Sequence, residues 1–582
     1  MGDCKINKFK NIIINLHTKN KSELHNLYNT KHFSKTAEAY HPGETEAKNF
    51  EFMSLQFSFG ATNFRTPEKL VLEVCFSPSA LGMAQMPENA LPVEDYLLRM
   101  LSPAINELSE SYANDKKESR EKCSFEAQTA SEIMTGRNGI YYSHEREKFC
   151  LKINIGIPLI NNTSVNGKSA FKAVKELLET INAHIARFDE NGCRRFVETF
   201  EKQQYIRRYL RENGYAAFVS DGSVLPRLNG TPAPMHSALP FKSPPELKID
   251  ILLPDGSKIG GMGIKKGITV ITGGGYSGKS TLLDAIEMGI YNHIPGDGRE
   301  FVITDELALK IYAEDGRPVT NLDMTPFYRY FPNNADAKKF STHHASGSVS
   351  QAANIIEAVY AGAKLLLIDE DRSATNFMIR DKNMRVVVEK EPIIPFTERV
   401  RELAENKGVS TILVIGGSSE YLSYADTVIL MEDYAARDIT DFVKRLNLPE
   451  TENNENEAAW TKRRSYIPPH TDRQFIYFRT VTAENQKKII LDEYSADITL
   501  LTSLVTGEQL NHLAAIMEKL IGGKDVGNTD VMDFVNGVLH GDAAWQRDFS
   551  MSFHFKAERW FENVRALDVF CTISRLRGVN FV

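Results

Sequence analysis

Cysteine and tryptophan are scarce in this chain: six of the first and three of the second in 582 residues. The cysteines are Cys4, Cys75, Cys123, Cys150, Cys193 and Cys571, and no two form a C-x-x-C pair. That scatter argues against a disulfide framework and against a structural zinc site. A reducing compartment is the simplest reading. Long apolar runs are missing too. None approaches the ~20 residues needed to span a bilayer, so no membrane association is expected. The short run from Ile12 to Leu16 is too brief for a signal-peptide core. The first arginine is Arg65, which argues against an Arg-rich presequence, and Ile6 stands where myristoylation needs Ser or Thr. The expectation is a cytoplasmic protein, with an organelle such as the mitochondrion left open. A large excess of one charge is absent as well. The formal net charge of -7 gives no bulk attraction to nucleic acid, though a local basic groove is compatible with it.

What is present is the composition of a globular chain, 42% hydrophobic and 25% charged. The length suggests about three or four domains. Residues 1–50 are polar and without clear periodicity, and read as a tail. Residues 51–229 read as an α+β domain: FMSLQFSF, KLVLEVCF and FCLKINIGI alternate as strands, and two amphipathic helices follow, the second ending at Gly214. A proline-rich boundary lies near residues 229–246. From 230 to 450 the pattern is α/β. KIDILL, ITVIT, FVIT, KLLLI, STILVI and TVILM read as strands with helices between several of them, which predicts a largely parallel core sheet. Residues 451–471 read as a polar linker, and 472–582 as a smaller, helix-rich domain.

The segment ITVITGGGYSGKSTLLDAIE fits G-x-x-x-x-G-K-[ST] through Gly273, Gly278, Lys279 and Ser280. Backbone N–H groups must converge on phosphate oxygens, and side chains would block that approach, so the loop needs glycine. The phosphate-binding stretch is Gly273, Gly274, Gly275, Tyr276, Ser277, Gly278, Lys279, Ser280 and Thr281. Lys279 supplies a point charge for the β- and γ-phosphates. Ser280 can ligate Mg²⁺, and the following helix adds its positive end. KLLLIDED then ends an apolar strand at Asp369 and Glu370, at the sheet edge where open α/β folds bind ligands. Asp369 would hold Mg²⁺, and Glu370 would act as general base toward water.

A third element, ASGSVSQAANIIEA, places Ser346 23 residues upstream of Asp369. ABC ATPases carry their LSGGQ signature with this spacing. Ser346 and Gly347 match it, while Ser348 replaces the second glycine. An ordinary N-capped helix is the bland alternative; the position between a P-loop and DED favours the signature.

These residues resemble the family of predicted ATPases of the ABC class, a stand-alone group distinct from transporter subunits. The resemblance also rests on SDGSVLPR, LPFKSPPEL, AEDGRPV, FSTHHASGSVSQAANI, DEDRSATNFMIRD, GVSTILVIGGSSEYL and ADTVI, and is densest from Asp221 to Asp433. It implies an ABC-type core flanked by N- and C-terminal domains, with ATP and Mg²⁺ as ligands. It implies a homodimer in which each ATP sits between one P-loop and the other subunit's signature. The run Ser373-Ala374-Thr375-Asn376 falls at the D-loop position. The family includes RNA-associated members, so nucleic acid is a candidate partner.

The sequence also departs from the pattern. No glutamine lies between Thr281 and Ser350, so Glu314 or Asp315 is the candidate replacement for the Q-loop residue. No histidine lies between Ala345 and Pro469. The switch-histidine position holds Gly416, Gly417, Ser418 and Ser419, which either offer N–H groups and the Ser418 hydroxyl to the γ-phosphate or form a plain tight turn.

Other readings are weaker. GTP is disfavoured because Asn406-Lys407-Gly408-Val409 lacks the guanine-reading acid, and a kinase lacks an acceptor site. The helix with Arg194, Arg195, Lys202, Arg207, Arg208 and Arg211, interleaved by Tyr205 and Tyr209, reads as a solvated amphipathic face rather than an RNA face. Lys462-Arg463-Arg464 reads as solvated linker, and His343 and His344 as loop residues. Arg299, Asp297 and Asp305 either form ion pairs or line the nucleotide pocket. The expected activity is ATP hydrolysis driving a conformational cycle; the alternative is an ATP-dependent switch or scaffold with little turnover.

Overall fold

The computed structural model describes residues 34–38, 50–58, 69–83, 86–113, 123–160, 164–229, 231–332, 334–380, 390–448, 458, 460, 464–467, 478–483, 486–491, 494–522, 530–540 and 559–581. The chain forms two compact units, Met1–Glu198 with Asp542–Asn563, and Thr199–Gly541 with Val564–Val582. The proline-rich stretch near 229–246 therefore lies inside the second unit.

The first unit is built on strands β1 (Ser34–Glu38), β2 (Phe50–Ser58), β3 (Lys69–Phe76), β4 (Ser124–Glu126), β5 (Ile140–Ser143) and β6 (Lys148–Gly156). They form one sheet in the order β1-β2-β3-β6-β4, with β5 also on β6. β1 falls within the stretch expected as a tail. Alternation decides which face is buried where. Leu72, Val74 and Phe76 of β3 join Leu151 and Ile153 of β6 in the main core. Helices α1 (Leu91–Ala113) and α2 (Gly167–Ile185) cover that core. α2 starts where the Asn166 side chain accepts from Ser169 N–H, and it buries Val174, Leu178, Ile181 and Ile185 at helical spacing.

The second unit begins within α3 (Glu190–Glu212), which ends before Gly214 in left-handed conformation, as its sequence predicts. Its strands and helices are β7 (Tyr215–Ser220), β8 (Lys248–Leu252), β9 (Lys258–Lys265), β10 (Ile268–Gly273), α4 (Lys279–Met288), β11 (Val302–Thr304), β12 (Ala308–Ile311), α5 (Gly347–Tyr360), β13 (Leu365–Asp369), β14 (Ser410–Val414), β15 (Thr427–Glu432) and β16 (Ala435–Asp438). The core sheet runs β12-β13-β14-β10-β15-β16. Its pairs are parallel until the final β15–β16 hairpin. β13 and β14 are buried at every position, as strands covered on both faces must be.

Two strands differ from expectation. FVIT and KIDILL do not enter the parallel sheet. They belong to an antiparallel sheet ordered β8-β9-β7-β11. The edge place in the parallel sheet goes to β12, ALKI, whose Lys310 hides the strand signal in the sequence. After the linker come β17 (Phe478–Ala483), β18 (Gln486–Leu491), β19 (Tyr494–Asp497), α6 (Gly507–Gly522), α7 (Val531–His540), α8 (Ala566–Ser574) and β20 (Leu576–Arg577). The helices expected here are joined by a four-stranded antiparallel sheet, β17-β18-β19-β20.

Candidate nucleotide site

β10 delivers the chain into the P-loop, and two glycines make the loop possible. Gly273 has φ +146°, and a Cβ there would lie 2.2 Å from the Met431 carbonyl oxygen. Gly278 has φ +97°, and its Cβ would lie 3.3 Å from the Tyr434 ring. No L side chain fits the first position. α4 begins at Lys279, so the amides of its first turn face the loop. Gly274, Gly275 and Tyr276 line the exposed rim, with Tyr276 at φ +58° and 98% exposed. Ser277 is buried, and its hydroxyl has no hydrogen-bond partner among the described residues. Lys279 Nζ donates to the Gly273 and Gly274 carbonyls at 2.8 and 2.6 Å. A phosphate seated in the loop would give both groups an anionic partner.

The metal candidates meet across the sheet. Ser280 Oγ donates to Asp369 Oδ2 at 3.4 Å, although 89 residues separate them. A hydroxyl and a carboxylate are the oxygen ligands Mg²⁺ takes, and these two would hold it. The parallel register that pairs β13 with β14, and β14 with β10, brings the two ends together.

Glu370 follows directly, and its Oε2 accepts from the backbone N–H groups of Gly416 and Gly417 at 2.7 and 3.1 Å. The turn at the missing histidine's position thus holds the carboxylate. Of the two readings of this turn, amides for the γ-phosphate or a plain tight turn, neither describes the contact here: both amides donate to Glu370. The Ser418 hydroxyl accepts from Glu420 N–H at 3.2 Å.

Ser346 is exposed at the start of α5, and its hydroxyl does not cap the helix. Gly347 follows it. Ser348 Oγ donates to Asn376 Oδ1 at 2.7 Å. Gln351 donates to Ser373 Oγ and accepts from Ala374 N–H at 2.9 and 2.8 Å. The segment matching the signature and the segment matching the D-loop are therefore tied together by side chains. Gln351 was not singled out by the sequence reading.

The same helix is braced from below. Glu357 is buried between Arg317 and Arg464, each 2.7 Å away. Burial alone would raise its pKa; the two guanidiniums win and hold the carboxyl below its ordinary range. Glu314 is buried against Arg575 at 3.0 Å and against Asn354 at 3.0 Å. It too is held low, burial being outweighed by Arg575. This corrects two expectations. Glu314 is committed to a buried ion pair and does not replace the Q-loop residue. Arg464 is not solvated linker: it is 2% exposed and lies 4.1 Å over the Phe581 ring. Lys462 and Arg463 lie outside the described residues. Asp315 is exposed, with its carboxylate 3.3 Å from the point a Cβ on Gly347 would occupy.

The remaining candidates have structural partners. Asp297 pairs with Arg227 at 2.7 Å, and Arg299 donates to the Leu225 carbonyl at 2.9 Å. On α3, Arg207 is buried and donates to the Thr304 carbonyl at 2.6 Å. Tyr209 stacks on Tyr215 at 6.5 Å, and Tyr205 packs on the core around Ile206 and Leu210. These residues are taken up by the fold, as an amphipathic helix requires.

The family model described as ABC_ATPase, P-loop domain, matches residues 189–465. The chain carries an ABC-class P-loop ATPase domain. Its resemblance to that class, drawn from the motifs, is borne out. Uncharacterized protein MJ1628 of Methanocaldococcus jannaschii is 31% identical over 296 residues, or 48% of this chain and 65% of that protein. The chain thus spans less than two thirds of that relative's length. Two solved structures are similar at 15% identity and a TM-score of 0.23. One is cbiO1 from Clostridium perfringens, part of the ABC transporter complex cbiONQ, with 38% of this chain and 87% of that one covered. The other is the ADP conformation of MJ1267, an ATP-binding cassette of an ABC transporter, with 34% and 91% covered. No helix among the described residues is long and apolar enough to cross a membrane.

Proposed function

We propose that this ABC-class ATPase hydrolyses ATP at two composite sites of a homodimer, each formed by the P-loop of one subunit and Ser346, Gly347 and Ser348 of the other. One observation carries the reading: Ser280 and Asp369 meet beside the glycine-built loop, and Glu370, the next residue, is held by the Gly416–Gly417 turn. Lys279 turns from its loop carbonyls to the β- and γ-phosphates. Ser280 and Asp369 hold Mg²⁺, whose chemistry when bound is charge neutralisation on the phosphates. Glu370 accepts the proton of the attacking water. Its Oε2 is fixed by Gly416 and Gly417, which leaves Oε1 to meet the water. The glycine turn so takes over the orienting work of a histidine side chain, with Ser418 beside it at the γ-phosphate. The reaction moves the appended domains around a partner.

The alternative, an ATP-dependent switch with little turnover, is favoured by the same clamp if Glu370 stays bound to it. RNA is the partner class to test, since phosphate contacts weaken steeply with salt; no binding at low salt, with and without ATP, removes it. Glu370→Gln tests the main reading. The expected outcome is loss of hydrolysis together with an ATP-stabilised dimer in gel filtration with light scattering. Unchanged turnover and unchanged dimer lifetime would overturn the assignment of Glu370. Tight ATP binding by the wild type without turnover would support the switch.

A further inference from the structure

The first unit holds a pair of thiols that the ATPase reading does not use. Cys75 on β3 and Cys150 on β6 are direct cross-strand partners in an antiparallel pair whose register runs unbroken from Lys69↔Gly156 to Phe76↔Phe149. Such partners have Cα atoms about 4.5–5.5 Å apart, inside the range a disulfide spans. Both side chains are fully buried. Their sulfurs lie 2.6 Å apart, closer than two unbonded sulfurs rest. Tyr141 of β5, opposite Cys150 in register, completes a small cluster on the sheet face away from the main core. Glu73, two residues before Cys75, accepts from Tyr141 Oη at 2.5 Å. Arg146 reaches Cys75 Sγ at 3.9 Å, and its own side chain is 40% exposed.

Glu73, Cys75 and Cys150 also have the makeup of a metal site. The geometry speaks against it. A tetrahedral zinc bound to both sulfurs at ~2.3 Å would set them about 3.8 Å apart. Glu73 is moreover engaged by Tyr141 and Arg146.

We propose that Cys75 and Cys150 form a peroxide-oxidisable pair that closes a disulfide across β3 and β6. Hydrogen peroxide is the oxidant. The Cys75 sulfur attacks one peroxide oxygen, giving a sulfenic acid and water. The Cys150 sulfur then attacks the Cys75 sulfur, the S–S bond forms, and the hydroxyl leaves as a second water with the Cys150 proton. Two thiols are oxidised and one peroxide is reduced. Cys75 takes the first step because the partly exposed Arg146 guanidinium lies 3.9 Å from its sulfur and favours the thiolate there. The hydrogen bond with Cys150, and then burial, push the Cys75 thiol well up, so the reaction is slow. The bond staples the two central strands of this sheet across 75 positions of sequence.

The test is a peptide map of the reduced full-length protein after peroxide treatment, with remaining thiols blocked in denaturant. The expected result is a Cys75–Cys150 linked peptide, two fewer free thiols per chain, and a melting temperature several degrees higher. In Cys150→Ser, a 1,3-dione probe should label Cys75 as its sulfenic acid. A full set of free thiols in treated wild type, or a link between other cysteines, would overturn the proposal, and this wild-type map decides even if a variant fails to fold.

Discussion

The P-loop of this protein and α5, the helix that opens on the signature-like segment, are held by opposite means. Gly273 and Gly278 shape the P-loop by lacking side chains, and everything they need lies in one stretch of sequence plus the β15–β16 turn. α5 is held by charges drawn from far along the chain. Glu357 meets Arg317 and Arg464, while Asn354 and Glu314 meet Arg575 near the C-terminal end. A local device can be read as a motif. A distributed one has to be folded before its parts are recognisable.

The strongest way to break this contrast is Glu357→Gln. Removing one carboxylate leaves two buried guanidiniums facing each other, and should destabilise the second unit by about 3–5 kcal/mol in denaturant titration. ATP affinity of the folded fraction should change far less. An equal loss in both would mean that the two elements are one structural unit. The pH dependence follows with its sign. Glu357 and Glu314 have folded pKa values below their unfolded ones. Their contribution is present above the ordinary carboxylate range and is lost as pH falls through the folded values. Wild type should therefore lose stability as pH falls below the ordinary carboxylate range, and Glu357→Gln should show a shallower loss.

Gly273→Ala acts on the other side of the contrast. Its Cβ collides with the Met431 carbonyl, so the loop must open. ATP affinity, read by isothermal titration, should fall by about 2 kcal/mol or more, with α5 undisturbed. The smallest effect is expected from Tyr276→Gly. Tyr276 stands at a left-handed position with its ring in solvent, and relief of that strain should stabilise the protein by about 1 kcal/mol in thermal melts. A loss of stability would show that the freedom glycine adds to the unfolded chain outweighs the strain relieved.

Much of the candidate nucleotide site was legible. The P-loop, Asp369 and Glu370 follow from contiguous residues whose spacing reflects strand and helix geometry, and the structure brings Ser280 and Asp369 together. The glycine turn was legible as an oddity, but its use as a clamp on Glu370 was not, because backbone N–H groups carry no sequence signal. Arg464 sat in a run of basic residues and looked solvated; only the fold reveals Glu357 beneath it. A signal did exist on the helix itself. Gln351, Asn354 and Glu357 recur every third residue in an otherwise apolar segment, and all three are buried. Buried polar residues in a row demand partners. β12 was missed because Lys310 interrupts a four-residue strand, its charge being met by Asp284 and Glu287.

The central claim is that each site is completed by a second subunit, and mixing two inactive variants tests it most directly. Lys279→Ala disables the P-loop and keeps the signature; Ser346→Arg disables the signature and keeps the P-loop. Each alone should be without ATPase activity. In their mixed dimer, one composite site pairs an intact P-loop with an intact signature, so mixing should restore a substantial fraction of wild-type hydrolysis. Absence of any restoration, with mixed dimers verified by mass, would contradict the account and place the whole site within one chain.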